Sequence, residues 1–377
     1  MAVLIFILIL GVLVFVHELG HFLVARRNGI TAHEFGFGFP PRFIGIYRDD
    51  KNKKWNFVRG SKEVETKNTI YSLNWFPIGG FVKIKGEDGS GKGDADSFAS
   101  KSAWKRIKVL AAGVAMNFIL AWALFSAGLM IGTYQEVPEG NLQNSKILIS
   151  SVAENSPAKN IGIKLGDEIL SGGKNSEIVF QKIEDVQDYI NSNRGKEVML
   201  EIKRGEDIIE FSGIPREDKI EGQGALGIGL SQVEIVRYSF FKAAYYGLIE
   251  MGNVLLLMFE TFRQLFIGNA SGIELTGIVG IAVYTGDVIP LGIVQLFRFA
   301  ALLSINLGII NILPFPALDG GRILFIIIEK IKRSPVSEKV ENAFHTAGFM
   351  LLILLMVLVT FKDLVRFEIV DKIKGLF

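Results

Sequence analysis

His17-Glu18-Leu19-Gly20-His21 puts two imidazoles and a carboxylate within five residues, inside the first apolar run of a 377-residue chain. On a helix, residues i and i+4 share a face, so His17 and His21 can bind one metal ion. H-E-x-x-H is the spacing of zinc hydrolases. A charged side chain near the bilayer centre costs roughly 2.5–3.5 kcal/mol even on a lenient insertion scale, so these groups need compensation at that depth. A catalytic zinc takes three protein ligands and keeps a fourth position open. Cysteine is absent and there are four histidines. Of the other two, His33 lies just past the basic flank Arg26-Arg27. His345 sits at the start of the last span without a metal-spaced partner and reads as a helix-end residue. The best third ligand is Asp319, in Asn311-Ile312-Leu313-Pro314-Phe315-Pro316-Ala317-Leu318-Asp319-Gly320-Gly321-Arg322. Two prolines and two glycines keep this segment from being a plain helix. Irregular backbone at membrane depth is tolerated only where protein buries it or water reaches it, so the break predicts a polar cavity facing the first span. Glu18, about 100° round the helix from His17, is placed to take a proton from water and return it to a leaving amine. Zinc would acidify that water and polarise the scissile carbonyl. Asn311 reads equally as a hydrogen-bond donor to substrate or oxyanion and as a polar closure of the helix break.

These residues need membrane helices to position them. The chain is 49% hydrophobic, which points to several spans joined to a soluble part. A net charge of +2 implies no nucleic-acid partner. Apolar runs extend from Ala2 to about Ala25, about Val109 to Tyr134, about Leu291 to Ile328, and Ala347 to Phe361. No basic segment precedes the first run and no small-residue cleavage site follows it, so it reads as a retained span. Lys and Arg cluster between the first two runs and around Lys330, Lys332, Arg333 and Lys339. The positive-inside rule then predicts four spans with both termini outside and residues 135–290 facing the exterior. Residues 235–267 interleave Lys242, Glu250, Glu260 and Arg263 with apolar residues, which favours an interfacial amphipathic helix over a fifth span.

Within 147–216, Ile147-Leu148-Ile149 reads as a strand, Ser156-Pro157-Ala158 as a helix start, and Gly166-Asp167-Glu168-Ile169-Leu170 as a turn into a strand. Val198, Leu200 and Ile202 alternate with polar residues and are answered by Ile209 and Phe211 across Arg204-Gly205-Glu206-Asp207, a half-buried hairpin. Asn155-Ser156-Pro157-Ala158 followed by Gly162 to Leu170 resembles a circularly permuted PDZ domain. Such domains bind peptide ends by strand addition, and a spacer without ligand is the alternative.

His17-Glu18-Leu19-Gly20-His21 taken with Asn311…Pro314-Phe315-Pro316-Ala317-Leu318-Asp319-Gly320 resembles the signature pair of the site-2 protease family of intramembrane zinc metalloproteases, in its bacterial PDZ-containing branch. The resemblance implies Zn2+ as cofactor, His17, His21 and Asp319 as its ligands, and Glu18 as catalytic base. It also implies that Asn311 and Pro314 handle substrate. Glu34-Phe35-Gly36-Phe37-Gly38-Phe39 is similar to the family's Gly-rich segment, which implicates Gly36 and Gly38 in substrate binding. Ile70 to Lys83 is similar to its membrane-dipping β-hairpin, whose edge could pair with an unwound substrate.

The expected fold is a polytopic α-helical membrane protein with about four transmembrane helices, one extracytoplasmic PDZ-like α+β domain and a cytoplasmic membrane-associated β-hairpin region. The expected order is a metal-binding span over 1–25, a cytoplasmic loop with the hairpin over 26–106, and a second span over 107–134. The PDZ-like domain follows over 135–216, then an amphipathic helix and connecting segment over 217–290. A broken third span over 291–330 precedes a cytoplasmic loop, fourth span and tail over 331–377. The implied location is the bacterial inner membrane, with the active site towards the cytoplasm. Implied partners are the lipid bilayer, single-span membrane substrates (anti-sigma factors or remnant signal peptides, cut in regulated intramembrane proteolysis) and a peptide tail on the PDZ-like domain.

Ala112-Gly113-Val114-Ala115-Met116-Asn117-Phe118 departs from the family pattern, which usually carries Pro where Val114 stands. An aspartyl intramembrane protease fits poorly, because Tyr284 occupies the first glycine of a G-x-G-D and the His pair goes unexplained. A catalytically inactive membrane PDZ adaptor with a structural zinc site is the non-enzymatic alternative.

Overall fold

The first apolar run forms one unbroken helix, α1 (Ala2–Arg27), with Arg26 and Arg27 in the last turn, where cations complement the helix dipole. Its buried residues include Leu13, His17, Gly20, His21 and Ala25, so one stripe of near-fourfold spacing faces protein and carries both histidines. The computed structural model describes residues 1–50, 52–64, 66–137, 145–174, 176–218, 220, 222–269, 276–334 and 336–367. After α1 come β1 (Ala32–Arg48), β2 (Trp55–Arg59), β3 (Ile70–Ile84), α2 (Ala103–Ile131), β4 (Thr133–Glu136), β5 (Lys146–Val152) and α3 (Pro157–Asn160). They are followed by β6 (Glu168–Gly172), β7 (Ile178–Val179), α4 (Ile183–Ser192), β8 (Val198–Arg204), β9 (Asp207–Gly213) and β10 (Ile228–Val236). The chain continues through α5 (Phe240–Phe266), α6 (Ile278–Val288), α7 (Ile293–Ile312), α8 (Asp319–Lys332) and α9 (Glu338–Arg366). The expected tail beyond residue 367 lies outside the described residues.

Four of these helices are long and apolar enough to cross a membrane: Ala2–Arg27, Ala103–Ile131, Ile293–Ile312 and Lys339–Arg366. The protein is therefore a multi-pass membrane protein. The third apolar run is broken as its prolines predict, with α7 ending at Ile312 and α8 starting at Asp319. At 27 residues α5 is long, yet it is not among the four. It lays Met251, Val254, Leu255 and Met258 against Ala121 and Phe125 of α2 and Ala301 and Ile305 of α7, and Glu250 pairs with Arg298 at 2.7 Å.

The chain forms two compact units, the first made of Met1–Phe125, Gly247–Gly286 and Arg298–Phe377. In this unit β3 folds back so that both of its halves flank the start of β1: Phe35 pairs with Tyr71 and with Val82, and Phe37 with Leu73 and with Gly80. The later part of β1 pairs with β2. Phe22 of α1, with Ala32 and Phe35, packs this sheet onto the first helix. Leu73, Trp75, Phe76 and Ile78 at the fold-back are exposed apolar residues.

The second unit, Ser126–Tyr246 with Asp287–Phe297, is a mixed α+β structure. Its strands run β4-β10-β5-β6-β8-β9, with β7 beside β6, and all pairs are antiparallel. Ile149, Val186, Leu200, Ile202 and Leu226 form its core. The predicted strand, helix start and hairpin all occur here. The sheet nevertheless extends on both sides of 135–216, because β10 lies between β4 and β5. Asp167, fully buried in the Gly166-Asp167 turn, receives two hydrogen bonds from Arg204 at 2.7 Å, a bidentate pair that locks the turn to β8.

Candidate metal centre

His17 and His21 reach one point because α1 crosses α2 at small residues. A Cβ on Gly20 would overlap the Ala112 carbonyl, and one on Gly113 would lie 2.5 Å from His21 Nε2 and 2.7 Å from His17 Cε1. The imidazoles occupy the space that a side chain at 113 would fill. Asp319 arrives from the first turn of α8, where the helix dipole favours a carboxylate. Gly320 and Gly321 let that turn press against the carbonyls of Ile312, Leu313 and Phe315, which any Cβ would strike. Two separate hydrophobic runs thus meet at three side chains.

The geometry suits a tetrahedral metal. His17 Nε2 and His21 Nε2 are 3.1 Å apart, and Asp319 Oδ2 lies 3.1 Å from the first and 3.3 Å from the second. Ligand atoms around tetrahedral zinc, each at about 2.0–2.2 Å, stand about 3.3–3.6 Å from one another. His21 Nδ1 donates to the Val109 carbonyl at 2.9 Å, so the neutral ring presents a bare lone pair at Nε2. Asp319 Oδ2 is buried and finds no hydrogen-bond partner among the described residues. Three electron-pair donors facing one another in a buried place could hold a metal ion, and two histidines with an aspartate are donors that zinc accepts.

Asn117, on α2 and fully buried, was not among the predicted site residues. Its amide nitrogen lies 3.1 Å from His17 Nδ1 while its Oδ1 has no partner among the described residues. Rotating the amide by half a turn lets the oxygen accept the Nδ1 proton that His17 carries when Nε2 binds a metal. Ser304 of α7 donates to the Asn117 carbonyl at 2.8 Å, so this residue also ties α2 to the third span.

Glu18 lines a cavity of about 230 Å³ together with His17, His21 and Asp319. Gly80 of β3 packs on it, its position for a Cβ being 3.1 Å from Glu18 Cγ. Gly80, Phe81, Val82 and Ile84 continue the wall, and an ion pair between Glu87 and Arg322 also borders the space. The polar cavity expected beside the first span is present. Gly36 and Gly38 do not line it. They lie on β1 against Ser72 and the Phe76 carbonyl of β3, and Gly38 takes a φ of +84°. Asn311 is in the last turn of α7 and Pro314 in the break that follows, neither bordering this cavity. His33 is on β1, away from the cluster, and His345 is on α9, next to the break.

A model of peptidase family M50 matches residues 5–355. A protein of Clostridium perfringens, provisionally described as a zinc metalloprotease, is 34% identical over 363 residues, covering 95% of this chain and 97% of that one. Regulator of sigma-W protease RasP of Bacillus subtilis is 31% identical over 443 aligned positions, covering 96% and 97%. A family match over most of the length, with relatives covered almost end to end, leaves one assignment: the chain belongs to peptidase family M50, the intramembrane zinc proteases of the site-2 type.

Proposed function

We propose that this intramembrane zinc endopeptidase cuts within the membrane segment of single-span proteins, with Glu18 as its general base. The observation that carries this reading is the convergence of three bare ligand atoms with Glu18 on one cavity between membrane-crossing helices. His17, His21 and Asp319 would hold zinc, which would supply Lewis-acid polarisation of water and of the scissile carbonyl. Glu18 takes the proton of the attacking water and delivers it to the leaving amine.

A helical peptide bond is shielded by its own hydrogen bonds, so the substrate must be drawn out into an extended strand. The second half of β3 borders the cavity, and its far edge pairs with no strand among the described residues, which supports strand addition there. Gly36 and Gly38 then serve by letting β1 and β3 approach closely and so setting that edge. Asn311 and Pro314 shape the approach past the end of α7. The basic flanks Arg26, Arg27, Lys105, Arg106 and Lys108 support a site near the cytoplasmic face of a bacterial inner membrane, with the second unit outside. That unit we read as a PDZ-like domain that screens substrates or holds a peptide tail. The relative RasP, a regulator of sigma-W protease, supports anti-sigma factors as substrates, with remnant signal peptides as a second group.

Glu18→Gln tests the mechanism in purified protein with a single-span reporter substrate. Zinc content should be unchanged and cleavage should fall by about 10²–10⁴. Cleavage at the parental rate would remove the base from Glu18 and favour a non-catalytic adaptor.

A further inference from the structure

His345 takes no part in the function described above, yet it touches the segment that delivers Asp319. The Ala317 amide donates to His345 Nδ1 at 2.9 Å, and Ala317 lies two residues before the ligand. Its φ is +70°, the left-handed region, which a residue with a Cβ enters at a cost of roughly 1–2 kcal/mol. Something outside the loop must hold that turn, and α9 does so at two points. His345 accepts its amide proton, and one turn later Gly348 lies so close to Pro316 that any side chain would overlap the proline ring. The ring of His345 is fixed in turn by Phe325 of α8, with centroids 5.6 Å apart. His345 Nε2 has no partner among the described residues, so the Ala317 amide is the ring's hydrogen bond.

Asp319 opens α8 directly after this turn, so the turn decides where its carboxylate points. We propose that His345 is a positioning residue of the metal centre: by accepting the Ala317 N–H it holds the left-handed turn that aims Asp319 at His17 and His21. The inference rests on the reading of those three residues as zinc ligands.

The test uses the full chain in detergent, with zinc affinity measured by chelator competition and the cobalt-substituted protein followed by its visible spectrum. Asn offers an oxygen near the Nδ1 position, Gln places its amide near Nε2 instead, and Leu fills the space without an acceptor. His345→Leu and His345→Gln should weaken zinc binding about 10–100-fold and alter the cobalt bands, while His345→Asn stays within about threefold of the parent. Adding Ala317→Gly to His345→Leu should recover affinity, because glycine takes the turn unaided. Parental affinity in both Leu and Gln variants overturns the proposal, as does equal damage in Asn and Gln, which would mark a packing role. If the Leu variant does not fold, the Asn–Gln contrast decides. Asp319→Ala in the same assay separates the two claims: parental zinc binding there would defeat the ligand assignment itself.

Discussion

Gly113→Ala adds one methyl group and touches no metal ligand chemically, so it isolates the geometry of the site. The new Cβ would stand 2.5 Å from His21 Nε2 and 2.7 Å from His17 Cε1. Ordinary carbon–nitrogen contact begins near 3.4 Å, so the rings and the α2 backbone must separate by about 0.9 Å. Metal sites tolerate about 0.2 Å in ligand distance, so at least one imidazole is displaced beyond useful reach. Disturbing ligand orientation alone costs 10–100-fold in affinity. Displacing a ligand costs at least the upper figure, about 2.7 kcal/mol or more. Helix propensity works in the opposite direction, since alanine is better than glycine by about 0.8–1.0 kcal/mol in a helix interior. Gly128→Ala, on the same helix, is the control, because its Cβ would meet Val294 at an ordinary 3.5 Å. Both variants are purified in detergent, titrated with zinc against a chelator, and melted without metal. Gly113→Ala should lose zinc affinity about 100-fold or more relative to Gly128→Ala, and its metal-free melting temperature should fall below that of Gly128→Ala, since overpacking costs about 1–3 kcal/mol. Equal zinc affinity in the two variants would refute the placement of the imidazoles against α2.

Asn117→Leu removes the partner of His17 Nδ1 and should weaken zinc binding about 10–100-fold; unchanged affinity would leave Asn117 only its structural tie to α7. Arg204→Ala leaves the buried Asp167 carboxylate without its cation, a loss of about 3–5 kcal/mol. Limited proteolysis of the full chain should then cut selectively within 146–236, and resistance equal to the parent would count against that pair. His33, outside the spans, is held below the ordinary histidine range by burial and by Lys83 and Lys85. Its contribution is therefore complete above about pH 6.5 and declines as the pH falls, so His33→Asn should flatten the loss of melting temperature between pH 7 and 5. An identical slope in the variant would show that the ring does not report on folding.

The candidate metal ligands were legible because zinc chemistry constrains both residue type and spacing. The H-E-x-x-H spacing fixes a helix face, and an aspartate beside two prolines stands out from an apolar run. Val109 and the contact of Asn117 with His17 were not legible, since a carbonyl and a lone amide acquire meaning there only when α2 lies against α1. Gly113 could be read as a glycine but not as the space for two imidazoles. The family likeness marked Ile70 to Lys83 as a hairpin, yet it does not say that the two arms enclose the Gly36 segment, leaving Gly80 to Ile84 as the edge beside Glu18. β10 escaped the predicted 135–216 interval because its partners β4 and β5 lie about eighty to a hundred residues earlier, and sequence periodicity carries no information on pairing at that range.

The break that delivers Asp319 also solves a problem of length and of backbone accounting. An unbroken helix from Ile293 to Lys332 would run about 60 Å, twice the roughly 30 Å of a bilayer's hydrocarbon core. Stopping α7 after 20 residues matches that thickness. A stop inside a membrane protein exposes amides that lipid cannot satisfy. Here Phe315 N–H donates to Leu313 O, Leu318 N–H to Phe315 O, and Gly321 N–H to Leu318 O, while the two prolines have no proton to place. Ala317 is the amide in this series whose acceptor comes from another helix, and that acceptor is His345. The residue that accepts this amide is thus the one positioned to steer the ligand. Replacing Ala317 with glycine alone should leave zinc affinity nearly unchanged while making it insensitive to His345→Gln, measured by the same chelator competition. Sensitivity that persists in the glycine background would mean that His345 acts on the metal centre by a route other than this turn.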